Sequence, residues 1–234
     1  MATAKTRQKV LKTFLTFLSN KGYQDVSLPL IAETADVKLS DLRGAYASKL
    51  DLVRAFAEQI DKSVLDGRDD DMDDQPARDR LFDILMSRID ALAEHKDAVR
   101  SLHEAAKHDP GLALDFNRIE VRSQKWMLIA ADIELSGMKA EFVAQALVVA
   151  FSRVVETWLN EKDEGMPRTM AKLDKQLDKG TSLMKRLNRL DGIAKGIRSV
   201  VRAASGKGRR RSGDMDDTYA SDLHDEEAQV NANA

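Results

Sequence analysis

The chain has 234 residues, 43% hydrophobic and 32% charged, with four prolines, twelve glycines and a formal charge of −2, a composition that supports a real core and a helical rather than fibrous protein. With no cysteine it has no disulfide, no thiolate zinc site and no cysteine nucleophile. It has no uninterrupted run of about 18 apolar residues, and its charged, amphipathic start from Lys5 carries no secretory signal core. The sequence therefore predicts no membrane span, and a cytoplasmic location.

Lys5 to Ser19 is the first predicted helix, striped by Val10, Leu11, Phe14, Leu15, Phe17 and Leu18. Ser27 suits an N-cap with Pro29 in the first turn, and Leu28, Leu30, Ile31 and Ala35 then recur at helical spacing. Ala35-Asp36-Val37 breaks that period, and aspartate enters a left-handed turn at little cost. Leu39, Leu42 and Tyr46 give the next short helix an apolar face, and Ser48 caps a longer one carrying Leu50, Val53, Phe56, Ala57 and Ile60. Two short helices joined by a tight turn form a helix-turn-helix, whose second helix can enter the DNA major groove. Ser27, Lys38, Ser40, Arg43, Tyr46 and Lys49 are the candidate DNA contacts, because phosphates and base edges accept cations and hydroxyls.

Asp66, Asp69, Asp70, Asp71, Asp73 and Asp74, relieved only by Arg68, make an acidic boundary ended by Pro76. Beyond it, Leu81, Ile84, Leu85, Ile89 and Leu92 restore the helical period. His95 to Lys107 reads as a shorter helix stopped by Asp109-Pro110-Gly111. Leu112 to Leu135 is long and amphipathic and ends at Ser136-Gly137. Glu141 to Asn160 is the most apolar helix, and Met166-Pro167 opens another towards Leu190. No β-type alternation persists, so the fold class is all-α.

Phe116, Trp126, Met127, Phe142, Phe151 and Trp158 are candidates to line a ligand cavity, though such residues at helical spacing equally suit a plain core. The Glu141–Asn160 helix is too apolar for one-sided packing, which suits either burial inside a single subunit or a dimer seam with Phe142, Leu147, Val149 and Val154 as its candidates. His103 and His108 lie five residues apart, about 140° around a helix, and cannot share one metal. With no phosphate loop, nucleophile elbow or paired carboxylate, the sequence predicts no catalytic residue, no metal, no cofactor and no enzyme. Between 181 and 204, Leu183, Leu187, Leu190, Ala194, Ile197 and Val201 form a stripe flanked by Lys185, Arg186, Arg189, Lys195, Arg198 and Arg202. That pattern suits a peripheral contact with anionic lipid, a brace against DNA, or a helix closing the core. Residues 205–234 read as a disordered charged tail.

Gly22-Tyr23, Ile31-Ala32, Ala35-Asp36-Val37-Lys38, Leu42-Arg43, Tyr46 and Ser48-Lys49 together resemble the N-terminal DNA-binding domain of TetR-type transcriptional regulators, over the first quarter of the chain. The resemblance implies a TetR-like fold, with a helix-turn-helix head at 1–65 and an effector-binding, dimerising body at 76–204. It further implies a homodimer on a palindromic operator, released by a small hydrophobic effector. The sequence departs from the family pattern at Lys38, Asp41, Arg43 and Ala45, and a carboxylate at Asp41 would meet phosphate. Those departures and the basic 181–204 segment also resemble TetR-fold lipid-binding proteins of ubiquinone biosynthesis. These have lost DNA binding and dock on membranes through a C-terminal amphipathic helix, so the sequence leaves a second reading open.

Overall fold

The head is built by local signals that the sequence carries at each helix end. In the computed structural model, which describes residues 3–68 and 74–182, Thr3 caps α1 (Ala4–Asn20) by accepting from the Thr6 amide at 3.2 Å. A 3-10 turn, Tyr23–Asp25, leads to α2 (Leu28–Thr34), where Ser27 Oγ accepts from the Leu30 amide at 3.3 Å. The expected reversal follows. Asp36 takes φ +46°, and the Val37 amide donates back to the Ala32 carbonyl at 3.0 Å. α3 (Leu39–Ala45) then buries Leu42 and Ala45. α4 (Lys49–Asp66) starts with a reciprocal cap: Ser48 Oγ accepts from the Asp51 amide at 3.2 Å, and Asp51 accepts from the Ala47 amide at 3.0 Å.

The body comprises α5 (Ala77–Ala93), α6 (Lys96–His108), α7 (Pro110–Ala130), α8 (Gly137–Leu159) and a last helix, α9, at 167–182. No strand occurs among the described residues. These residues all belong to the first of two compact units, Met1–Lys185; the second, Arg186–Ala234, lies outside them. Head and body share one core: α1 packs on α6, and α4 packs on α5 and α7. Tyr23 bridges them, its ring edge-on to Phe14 at 6.5 Å and to Phe116 of α7 at 5.8 Å.

Two boundaries differ from the sequence reading. Asp109-Pro110-Gly111 does not only stop α6. Asp109 caps α7 by accepting from the Leu112 amide at 3.0 Å, and Pro110 occupies the first turn, where its missing N–H costs nothing. α7 also ends at Ala130 rather than Leu135, because Asp132 adopts φ +52° and the Ile133 amide turns back to the Leu128 carbonyl. Gly137, read as a stop, instead opens α8.

α8 is the one described helix long and apolar enough to cross a membrane, although Gln145, Ser152 and Arg153 interrupt its apolar run. It packs along α7, where Asn117 and Gln145 exchange amide hydrogen bonds of 3.0 and 2.9 Å. Cations close its C-terminal carbonyls, as the helix dipole favours: Lys96 Nζ donates to the Glu161 carbonyl at 2.9 Å and Arg100 to that of Leu159.

Glu161 ties α8 to α9. Burial pushes its carboxyl upward, but hydrogen bonds outweigh this and hold it below the ordinary glutamate value. Its donors are Thr169 Oγ1 (2.6 Å), the Thr169 amide (2.7 Å) and the Arg168 amide (3.1 Å). Because the folded-state pKa is depressed, this contribution to stability is present above the unfolded value of 4.5 and is lost as pH falls through the folded value. Glu161→Gln should therefore destabilise the protein at neutral pH and flatten the fall in stability as pH drops below the ordinary glutamate value, as read by urea unfolding at a series of pH values.

Candidate nucleic-acid interface and body cavity

Leu42 and Ala45 fix which side of α3 faces the core. At about 100° per residue, Ser40, Arg43 and Gly44 then take the outward side, and all three are exposed together with Lys38. Asp41 is exposed on the flank, nearer the buried side than the outward one. Two of the head's other cations, Arg7 and Lys49, are committed internally. Arg7 donates to the Ala45 carbonyl at 2.7 Å and covers the Tyr46 ring at 4.7 Å. Lys49 Nζ donates to the Tyr23 carbonyl at 2.8 Å and lies 4.4 Å above its ring. Among the described residues, Lys38 and Arg43 have no ion pair and are left facing solvent.

Of the six candidate DNA contacts, Lys38, Ser40 and Arg43 thus share one exposed surface, and Ser27 is exposed while capping α2. Tyr46 is placed otherwise. It is buried, and its hydroxyl donates to the Arg7 carbonyl at 3.1 Å, so it locks α3 to α1. Lys49 is half-buried in its bond to Tyr23. Ala45 is also internal, so its small size serves packing. A Cβ added to Gly44 would meet nothing within 4 Å. Gly44→Ala should stabilise the head by about 0.5–1 kcal/mol, checked by chemical denaturation.

The body holds a partly open cavity of about 310 Å³ whose walls come from all five helices α4 to α8. Phe56 and Ile60 of α4, Leu92 of α5, Val99 and Leu102 of α6, Phe116 of α7 and Phe151 of α8 make it apolar. Arg88 reaches it from α5 although it is only 2% exposed. Its guanidinium is paired with the buried Asp61 of α4, which also accepts from Ser123 Oγ at 2.7 Å. Glu120 lies 3.6 Å from Arg88 Nη2, and the Phe151 ring 5.9 Å from the guanidinium carbon. His103 lines the same wall, and burial, then Lys107, lower its pKa, so the imidazole is neutral at pH 7.

Of the six candidate lining residues, Phe116 and Phe151 reach this cavity. Phe142 lines a different apolar groove of about 430 Å³ between α5, α8 and α9. Met127 and Trp158 are buried core residues that line neither space, and Trp126 is 47% exposed. Trp126 and its neighbour Met127 point about 100° apart, and the packing buries Met127 and leaves Trp126 in solvent. Asp61, Arg88 and Ser123 escaped the sequence reading. Their signal was a charged residue on an apolar stripe: Arg88 continues Leu81, Ile84 and Leu85, and Asp61 continues Phe56, Ala57 and Ile60.

No family model and no curated protein matches the sequence. Solved structures do match the fold. A TetR transcriptional regulator from Nitrosomonas europaea ATCC 19718 superposes with a TM-score of 0.60 over 76% of this chain and 98% of its own, at 19% identity. One from Rhodococcus sp. RHA1 gives 0.56 over 75% and 96%, at 17% identity. The chain has the TetR fold. Thermus thermophilus FadR, a TetR-family transcriptional repressor in complex with lauroyl-CoA, gives 0.50 over 75% and 93%, at 15% identity.

Within this TetR fold, α7 and α8 leave apolar side chains in solvent: Trp126, Ile129, Met138 (90% exposed), Phe142 (50%) and Val149 (45%). Two of the four candidate seam residues, Phe142 and Val149, belong to that surface. Leu147 and Val154 are buried within the subunit, Leu147 in the floor of the groove that Phe142 and Val149 also line. Apart from Thr181 and Ser182, the basic 181–204 segment and the tail lie outside the described residues, and with them the membrane-docking reading.

Proposed function

We propose that this chain is a TetR-type transcriptional regulator that binds duplex DNA as a homodimer through α3 and is released by a small apolar effector held in the body. The observation that carries the reading is the outward face of α3. Lys38, Ser40 and Arg43 stand there together while Arg7, Lys9 and Lys49 are engaged within the head. A short helix presenting a hydroxyl and two uncommitted cations suits a phosphate backbone and a guanine edge. Exposed Met138, Phe142 and Val149, which share one face of α8 by helical spacing, favour a partner subunit together with exposed Trp126 of α7, since exposed apolar surface marks association sites. A two-fold dimer supplies the second reading head that a palindromic site requires.

α4 supports a link between the two sites. Its first residues adjoin α3, and Phe56, Ile60 and Asp61 sit in or behind the cavity wall. An effector that prefers one placement of α4 would shift the population towards a head spacing that no longer fits successive major grooves. Lauroyl-CoA on FadR, a protein of the same fold, is consistent with a body that takes a small ligand.

An electrophoretic shift assay against duplex from the protein's own upstream region tests the reading. Arg43→Ala should cost about 1–3 kcal/mol and relax sequence preference, while Lys38→Ala should weaken all sequences alike and reduce the salt slope by about one. Unchanged binding in both variants would remove α3 from the interface.

A further inference from the structure

Among the described residues, one large apolar side chain of the head stands out in solvent, and α3 carries it. Leu39 is 52% exposed, whereas the other described large apolar residues so placed belong to the body. A single exposed leucine is ordinary on a protein surface; its neighbours give this one a meaning. At about 100° per residue, Leu39 lies about 40° around α3 from Arg43 and about 160° from Asp41. Leucine and arginine thus share one flank, next to the outward Ser40, and the carboxylate is on the other. We infer that Leu39 reads the C5-methyl group of a thymine beside the guanine taken by Arg43. The inference rests on the regulator reading above and adds a second sequence determinant to it.

The chemistry of the major groove narrows the partner to one base. Its base edges present hydrogen-bond donors and acceptors, and thymine adds a methyl group. A leucine side chain can neither donate nor accept. Pressed on the edge of a guanine, adenine or cytosine, it would strip water from polar groups and leave them unpaired, which costs free energy. Against the methyl it buries apolar surface on both partners, which is favourable. Helical spacing sets the register. Residues one turn apart have Cβ atoms about 5–6 Å apart, and a duplex rises about 3.4 Å per base step. The thymine therefore lies within about two base pairs of the guanine. With the Leu39–Arg43 flank turned into the groove, Asp41 faces away from the bases these two read.

The test uses the full-length protein and the duplex that it enriches from a randomised library, with each thymine replaced in turn by deoxyuridine, which lacks only the methyl. At one thymine per half-site, within about two base pairs of the guanine that Arg43→Ala ceases to select, the replacement should weaken binding about fourfold, the factor for one buried methyl group. Leu39→Ala should bind the thymine and deoxyuridine duplexes equally, with its guanine preference and its salt slope unchanged. An unchanged slope separates a lost methyl contact from a displaced α3, which would move the phosphate contacts too. Three results would each overturn the inference and leave the regulator reading intact: no thymine that responds to deoxyuridine, a Leu39→Ala variant that still distinguishes the two duplexes, or a salt slope altered in that variant. A library left unenriched would end both.

Discussion

Arg88→Met is expected to destabilise the protein by about 3–5 kcal/mol, because it leaves the Asp61 carboxylate buried with Ser123 as its remaining partner. The cost belongs to the stranded charge more than to the pair itself. Replacing both partners, Asp61→Leu with Arg88→Met, should therefore recover most of the loss, since a buried pair exchanged for apolar residues of similar volume is often neutral. Urea unfolding of the two single variants and the double variant measures the coupling. Additive effects would show that Asp61 and Arg88 act independently. The pair joins α4 to α5 across the cavity wall, so it also sets the position of the helix that runs up to α3.

Phe142→Arg is expected to convert a dimer into a folded monomer. Phe142 is half exposed in the single subunit, so an arginine there can keep its charge in water and the fold survives. Against a second subunit the same charge would be buried without a partner, at a cost of at least about 2 kcal/mol. Light scattering at micromolar concentration should give a dimer mass for the unchanged protein and a monomer mass for the variant. Palindromic DNA affinity should fall with it, because each head then binds alone. A variant that remains dimeric would move the seam away from Phe142.

Much of the head was legible in the sequence because short-range chemistry determines it. Ser27 and Ser48 cap their helices, and Asp36 takes the left-handed turn that its residue type allows. The body was less legible. Asp132 and Gly137 both have positive φ, and the residue type alone pointed to the glycine as the stop when the aspartate ends α7. In α8, apolar residues occur around most of the helix, so periodicity could not distinguish Val149, which is exposed, from Val154, which is buried. Tyr46 fits a polar contact by type, yet its partner is the Arg7 carbonyl, 39 residues away in sequence. Arg88 and Asp61 could have been paired from the sequence, as opposite charges on two apolar stripes. Only the packing of α4 against α5 brings them together.

The most direct test of the central claim is selection from a randomised duplex library with the full-length protein, compared with the same selection on Arg43→Ala. The expected result is an enriched two-fold symmetric motif with half-sites about one helical turn, or a multiple of it, apart, and a guanine in each half-site whose preference disappears in the variant. A library left unenriched by the unchanged protein, at low salt as well as at physiological salt, would contradict the regulator reading outright.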